Sequence, residues 1–321
     1  MNADQVHVSS LGGQRDAFLR KGEWEAGVSF RRLYADQWFV GTDVNESAAP
    51  FGKPLYLDIR SLDFTVAYGF SRSTSLMLTV PTSTGTHSRF YADGVRHVVS
   101  ATGIGDVNSI LTHWLLEPDL HIDGNVAVGL GVKLPIGGNT HKDRYFAADG
   151  SVSRRVVDQS IQPGDGGVGF IIQSQAYKVL RPSLSVYAFG SYLISARKEN
   201  EVPSPLPGVS LSVPDVYSGR IGLAAALPAR TRMSLNLGGR VDGIPLRDVV
   251  GGGDDGFRRP GHTLYLDPGF AMKFRRDEFT VSVPVRVRQN FSRSLIDRSI
   301  GFKGGGDLAD YLIFAGYSRR F

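Results

Sequence analysis

The chain has 321 residues, with 39 Gly, 16 Pro, no Cys, 41% hydrophobic content and a formal net charge of +5. The lack of Cys excludes a disulfide framework and thiolate metal sites. No apolar run approaches the ~18 residues that a spanning helix needs, which leaves membrane crossing by strands open.

Residues 1–21 carry no period and are expected to form a lead-in or a plug segment, while 22–321 read as one domain. From Gly22, Trp24, Ala26, Val28 and Phe30 alternate with Glu25, Gly27, Ser29 and Arg31, the pattern of a strand with one apolar face. A polar stretch over 35–55 follows. Leu62, Phe64, Val66, Tyr68 and Phe70 mark the second strand and, past a turn at 71–74, Leu76, Leu78 and Val80 mark the third. A longer loop is expected through 91–94 to 103–106. The fourth strand presents Ile110, Thr112, Trp114 and Leu116, and a short turn at 117–119 leads to Val126, Val128, Leu130, Val132 and Leu134 in the fifth.

A long polar loop, 137–166, precedes the sixth strand, with Val168, Phe170 and Ile172 on one face. The turn at 180–183 leads to Leu184, Val186, Ala188, Tyr192 and Ile194. A Pro-rich loop, 198–214, brings Ile221, Leu223, Ala225 and Leu227. After the turn at 228–231, Met233, Leu235, Leu237 and Val241 alternate with Ser234, Asn236, Arg240 and Asp242. A Gly/Asp loop, 247–261, precedes Leu264, Leu266, Phe270, Met272 and Phe274, and the turn at 275–277 leads to Phe279, Val281, Val283, Val285 and Val287. The loop 292–308 delivers the last strand, Tyr311 to Phe321.

These are twelve strands whose links alternate short and long, with both chain ends on the short side. That arrangement predicts a single antiparallel transmembrane β-barrel of outer-membrane type, with short periplasmic turns and long extracellular loops. The last strand, with Tyr311, Ile313, Ala315, Tyr317 and Phe321 at even spacing, resembles the closing strand of bacterial outer-membrane barrels. In such proteins the terminal aromatic is read by the barrel assembly machinery, which implies that machinery as a partner of Phe321. Met1–Val6 lacks the apolar core of a secretory leader. An exported chain would have had its leader removed before this start. The expected surroundings are the bilayer and lipopolysaccharide of the outer membrane.

The polar faces hold Arg31, Lys133, Arg220, Arg240, Asp242, Asp267, Arg286, Arg288, Asp310 and Arg320, the candidate lining of a lumen. Arg286 and Arg288, with Arg240 and Arg31, could form a constriction that favours anions, or could pair with Asp242, Asp267, Asp310 and Glu25 to fill the barrel. Ile171, Leu312 and Phe314 are apolar on the same face, which suits contact with a plug or an apolar ligand. Trp24, Tyr68, Phe70, Trp114, Phe274, Phe279 and Phe321 fall near tight-turn ends, where an aromatic girdle is expected. Pro81, Pro135 and Pro284 cannot donate to a ladder and mark bulges or bends, with an opening in the wall as the functional alternative.

Gly164-Asp-Gly-Gly-Val-Gly169 satisfies a dinucleotide fingerprint by spelling alone, since a polar loop precedes it and a strand comes after. Gly103-Ile-Gly-Asp106 precedes the fourth strand in the same way. Both read as glycines that let a loop enter a crowded strand. His113 and Ser109 lie about 13 Å apart on an extended strand, too far for a hydrolase pair. Asp254, Asp255 and His262 are the nearest approach to a rim protease. No enzyme, cofactor or metal is expected, and the singly scattered basic residues give no nucleic-acid surface.

Several stretches resemble the outer-membrane family named for the meta-pathway of phenol degradation. They are Tyr68-Gly69, Gly103–Asp106, Gly129-Leu-Gly-Val-Lys-Leu-Pro-Ile-Gly137, Gly238-Gly-Arg-Val-Asp-Gly-Ile-Pro245, Pro268 and Ala309-Asp-Tyr311. The resemblance implies passive uptake of small molecules, including hydrophobic or aromatic compounds. The alternatives are a largely closed barrel whose loops bind or adhere, and a lipid hydrolase.

Overall fold

The computed structural model describes residues 18–197, 199–204, 206, 208–228, 232–250 and 256–321. The wall strands are β1 (Trp24–Ala35), β2 (Tyr56–Gly69), β3 (Thr74–Phe90), β4 (Arg96–Ile104, resuming as Val107–Trp114), β5 (Gly124–Leu134) and β6 (Gly169–Arg181). They continue as β7 (Leu184–Ser195), β8 (Val216–Ala226), β9 (Met233–Ile244), β10 (Gly261–Phe274), β11 (Asp277–Ser282, resuming as Val285–Phe291) and β12 (Tyr311–Arg320). Each pairs antiparallel with the next, and β12 returns to β1 from Tyr311 opposite Tyr34 to Arg320 opposite Glu25. The fold is a closed 12-stranded antiparallel barrel. Closure pairs the backbone groups that an open sheet edge would leave facing lipid.

Two-residue alternation explains which way each side chain points. Leu62, Phe64 and Val66 on β2, Val126, Val128, Leu130, Val132 and Leu134 on β5, and Leu235 and Leu237 on β9 stand outward and exposed. Leu130 is 66% exposed and Ile221 62%, which in water would be a large apolar liability and in a bilayer is the required face. The band ends at the top of β2, where the outward positions become Arg60, Asp58 and Tyr56. At the short-turn end Trp24 packs against Tyr68 with ring centroids 4.6 Å apart, Tyr68 against Phe70 at 5.0 Å and Phe279 against Tyr317 at 4.9 Å, as expected of a girdle.

Several expectations need correction. The segment 81–106 is mostly strand rather than loop: β3 and β4 continue beyond the apolar band as a ribbon closed by the turn at 91–95. Its outward residues Thr82, Thr84, Thr86 and Ser88 are polar, so no hydrophobic period announces it. The faces of the lower half of β4 are inverted. Ile110 and Trp114 are buried in the interior, each 2% exposed, whereas Leu111 stands outward. Trp114 therefore packs against Tyr177 instead of joining the girdle.

The prolines mark shape, and the wall stays bonded beside two of them. Gly105 N–H donates to Pro81 O (2.8 Å) where β4 breaks, and Leu312 N–H donates to Pro284 O (2.9 Å) where β11 breaks. Pro135 comes directly after the end of β5. Of the expected lead-in, residues 1–17 lie outside the described residues. Residues 18–22 run along the short-turn rim, with Leu19 buried, Gly22 N–H donating to Gly69 O and Arg320 Nη1 donating to Phe18 O.

Candidate functional site

The lumen is built by the inward positions of the twelve strands, and its character changes with height. At the short-turn mouth Arg320 Nε donates to Glu25 Oε2 (2.7 Å), beside an opening of about 200 Å³ that Arg275, Arg276 and Phe321 also line. Above it lies a vestibule of about 190 Å³ bounded by Arg31, Met77, Arg220, Asn236, Arg240 and Phe314. The cations there are paired. Arg31 Nε reaches Asp63 Oδ2 at 2.6 Å, Arg220 Nε lies 2.5 Å from Asp267 Oδ2, and Arg240 Nε donates to Asp242 Oδ2 at 2.7 Å. Ser218 Oγ donates to the other oxygen of Asp242 (2.7 Å). The Arg240 guanidinium also sits 4.8 Å from the centre of the Phe314 ring, which explains an aromatic residue on the inner face.

One arc of the wall is apolar inside as well as outside. Ile110 of β4, Ile171 of β6, Leu193 of β7, Val216 of β8 and Ile244 of β9 form a buried cluster with Met77 of β3 packed against it. Ile171 thus belongs to a band facing the interior.

Above the vestibule the loop 135–168 folds into the barrel and obstructs it. Its 3₁₀ turn, Gln159–Ile161, sets Ile161 (1% exposed) among Leu33, Leu57, Ile59, Tyr265 and Leu312 of the wall. This is the partner of Leu312. The fit depends on Gly85 of β3, where a Cβ would lie 2.7 Å from Ile161 Cβ and 2.8 Å from its Cα. Below the turn the free space shrinks to about 30 Å³ between Arg31, Pro81, Gln162 and Phe314, against about 190 Å³ in the vestibule. Among the described residues, the obstruction is this loop.

The glycine-rich motifs meet at the root of the plug. Asp106, at the break in β4, accepts from Gly137 N–H (3.0 Å) and Asp165 N–H (3.2 Å), and Lys133 Nζ donates to it at 3.1 Å. Lys133 also donates to Asp165 Oδ1, so one ammonium, 1% exposed, clamps the wall to the loop. A Cβ on Gly164 would fall 2.6 Å from Gly137 O, so these backbones can touch only as glycines. Gln162 staples the loop to itself, accepting from His141 N–H and donating to the carbonyls of His141 and Val157.

On the long-loop side the plug carries aromatic residues. Its hairpin, Lys142–Phe146 with Val152–Val156, places Phe146 flat on His97 (ring centroids 3.5 Å) and brings Tyr145 and Phe146 to Tyr91 at 5.8 and 5.5 Å. Arg155 covers Tyr145 at 3.8 Å. Beside it Asp158, at the N-terminus of the 3₁₀ turn, faces His87 and Arg259. Burial pushes the His87 imidazole down to about 4, against the pull of Asp158. Burial would raise Asp158, but His87, Arg259 and the Ser160 amide hold it well below the usual carboxylate range.

Of the residues expected to line the lumen, Arg31, Lys133, Arg220, Arg240, Asp242, Asp267, Arg286, Asp310 and Arg320 face inward. Arg286 is ion-paired to Asp310 and lies over the Phe39 ring at 4.7 Å. Arg288 does not face inward. Tyr265 pairs with Arg286 and Leu264 with Arg288, so Val287 is an extra residue that flips the strand, and Arg288 stands exposed beside outward-facing Leu264. Sequence reading missed Asp63, Asp106 and Asp165 as partners. Asp63, opposite the apolar positions of β2, carried the alternation signal for an inward acid.

Hydrolytic chemistry finds no assembly among the described residues. Thr74 Oγ1 meets His113 Nδ1 at 2.9 Å without a carboxylate, and His97 meets Asp93 at 2.7 Å without a nucleophilic hydroxyl. Asp254 and Asp255, the acids expected to approach His262, lie outside the described residues.

No protein-family model matches the sequence, and no curated protein matches it. Among solved structures, the chain is similar to an outer membrane channel from Pseudomonas putida F1, at 12% identity and a TM-score of 0.66, covering 98% of this chain and 100% of that one. The P. putida toluene transporter TodX is matched at 10% identity and a TM-score of 0.45, over 95% and 91% of the two chains. The translocator domain of autotransporter NalP from Neisseria meningitidis is matched at 12% and 0.45, over 95% and 90%. The first likeness shows the outer-membrane barrel fold.

Proposed function

We propose that this barrel is an outer-membrane channel for passive uptake of small hydrophobic or aromatic molecules, gated by the loop 135–168. The observation that carries the reading is the lumen-facing apolar arc of Ile110, Ile171, Leu193, Val216 and Ile244. A water-filled porin has a polar interior, whereas this arc, buried at 1–7% exposure by its own packing, would give an apolar solute a surface once that packing opens. The Tyr91, Tyr145 and Phe146 cluster supplies an aromatic entrance above the plug, and the 190 Å³ vestibule an exit below it. The ion pairs neutralise the interior instead of leaving open charge, so solute passage needs the plug to shift.

The same reading places the protein in the bacterial outer membrane. Arg32, Arg60 and Arg288 stand outward toward the long-loop rim, where lipopolysaccharide phosphates would meet them. Phe321, whose N–H closes on Trp24 O, is the terminal aromatic offered to the assembly machinery.

Uptake of labelled phenol by cells with and without the protein tests the reading, at solute concentrations where the outer membrane limits entry. Faster entry that a plug-locking disulfide abolishes supports a channel. Equal entry, together with electrical silence after the plug is deleted, would favour the second reading, a closed barrel with binding loops. The obstructed lumen is what recommends that alternative.

A further inference from the structure

The short-turn rim carries its charge unevenly. Around the ends of β2, β4 and β6, Arg72, Lys178 and Arg181 stand among Glu117, Asp119 and Asp123, and Arg72 Nη1 reaches Glu117 at 3.5 Å and Asp119 at 3.4 Å. On the arc from β9 to β12 the outer side of the rim holds Arg232, Arg275 and Arg319 against Asp277. Asp277 is taken by Arg319 (3.4 Å) and by Tyr317 Oη, which donates to it at 2.7 Å. Arg232 and Arg275, both exposed, have no carboxylate within ion-pair reach among the described residues. Arg275 also borders the mouth, whose acids are engaged: Arg320 Nε donates to Glu25 and Arg20 N–H to Glu23.

The two unpaired guanidinium groups converge on one ring. Arg232 Cζ lies 5.2 Å and Arg275 Cζ 5.5 Å from the centre of Phe274, which is 51% exposed at the lower edge of the apolar band. Above it the outward face continues through half-exposed Leu235 and Leu266. The backbone presents both arginines in a strained form. Their φ angles are +53° and +56°, in the left-handed region that favours glycine, and Phe51 is the other non-glycine residue found there among the described residues. Arg275 opens the two-residue turn between β10 and β11, where hairpins with a positive φ ordinarily use Gly, Asn or Asp. Arginine thus stands twice, at one place on the rim, where glycine would relieve the backbone, and such strain gathers where a side chain is needed.

We infer that Arg232, Arg275 and Phe274 form a docking site on the outer wall for an anionic glycerophospholipid of the leaflet that the short turns meet. The phosphodiester receives N–H groups from the two arginines, since a guanidinium fork matches a pair of phosphate oxygens. The acyl chains then run along Phe274, Leu235 and Leu266. Phosphatidylethanolamine would bring its own ammonium against two uncompensated cations, so a lipid of net negative charge is preferred. Cardiolipin, with two phosphates, can meet each arginine separately. The site needs the barrel to lie in a bilayer but not to conduct, so it stands or falls apart from the uptake reading.

Native mass spectrometry of the detergent-solubilised full chain tests the site. The probes are phosphatidylglycerol, cardiolipin and phosphatidylethanolamine with matched acyl chains, and glycerol 3-phosphate serves as a competitor without chains. Phosphatidylglycerol should bind at least about tenfold more tightly than phosphatidylethanolamine, and cardiolipin more tightly still. Arg232→Gln combined with Arg275→Gly should remove that preference. Arg275→Gly alone relaxes the left-handed backbone, so heat resistance should hold while binding of the anionic lipids falls, which separates a lost contact from a lost fold. Arg72→Gln, at a turn where the arginine is already paired, should leave lipid binding unchanged. Equal binding of anionic and zwitterionic lipids would overturn the site and leave the arginines to an acidic protein on the periplasmic side. Displacement of the lipid by glycerol 3-phosphate at equal concentration would reassign them to a soluble anion. An undiminished preference in the double variant would sink the assignment outright.

Discussion

Arg220 and Arg240 lie directly opposite each other on the β8–β9 ladder, both pointing into the barrel. Like charges at facing positions repel, and the pair is tolerated because Asp267 and Asp242 stand beside them at 2.5 and 2.7 Å. The four groups form one unit, so removing an acid differs from removing a base. Asp267→Asn should leave a buried guanidinium uncompensated and cost about 3–5 kcal/mol. Arg220→Met with Asp267→Leu should recover most of that loss. Gel-shift assays of the heat-resistant barrel, run against temperature, read the order wild type, double variant, single variant. A single variant as stable as wild type would contradict the coupling.

Lys133 is the point at which the plug is held to the wall. Its ammonium answers Asp106 from the β4 break and Asp165 from the loop. Lys133→Met should leave two facing carboxylates and drive the loop root away, while β5 keeps its ladder to β4 and β6. We expect single-channel conductance to rise severalfold, with longer open times, in planar bilayers. Unchanged conductance would show that the clamp does not hold the gate.

Much of this architecture can be read from alternation, and the departures have local causes. The outward faces of β2, β5, β8 and β9 track their apolar residues because lipid demands nothing else there. Ile110 and Leu111 are both aliphatic, so period two cannot choose a face for β4, and its interior arc is visible only in the fold. Arg286 and Arg288 share a parity in sequence, but the extra residue at Val287 separates them. The plug escaped notice because Gln159, Gln162 and Asp165 look like solvated loop residues until their backbone and side-chain partners are known.

That bulge makes a sharp electrical prediction. Arg288→Ala should leave ion selectivity unchanged, since the side chain stands outside the wall. Arg240→Ala should alter it, because Arg240 borders the vestibule and its loss unmasks Asp242. Reversal potentials under a salt gradient should move toward cation preference for Arg240→Ala alone. A shift in the Arg288 variant would place that side chain back in the ion path.

His87 gives the plug a pH dependence of known sign. With the plug seated its pKa is about 4, below the ordinary 6.5. Unseating the plug should restore the ordinary value, so the open form binds the extra proton between those limits. Plug docking is therefore fully favoured above about pH 6.5 and weakens as pH falls toward 4, by up to about 3 kcal/mol. Asp158, held low, loses its contribution only in stronger acid. Asp307, held high on the loop between β11 and β12, acts oppositely, its contribution fading as pH rises. Open probability should increase from pH 7 to pH 5 in wild type and stay flat in His87→Gln. A rise of equal size in the variant would assign the response to another group.

Gly85 offers the cleanest way to separate plug from barrel. It sits on β3 above the apolar band, opposite Ile59 of β2 and Ala101 of β4, in ordinary extended backbone. A branched side chain suits a strand there. The obstacle is the plug, because even a Cβ would approach Ile161 O to 2.9 Å and its Cα to 2.8 Å, contacts with backbone that cannot rotate away. Gly85→Val should therefore leave the wall intact and expel the Gln159–Ile161 turn. Overpacking of this kind costs about 1–3 kcal/mol when the neighbour must stay, and the plug avoids it by leaving. The expected outcome is a barrel of unchanged heat resistance, a loop 135–168 newly sensitive to protease, and a large increase in conductance. A variant with wild-type conductance and a protected loop would mean that the plug adapts in place, and the gate would then have to be sought elsewhere in the lumen.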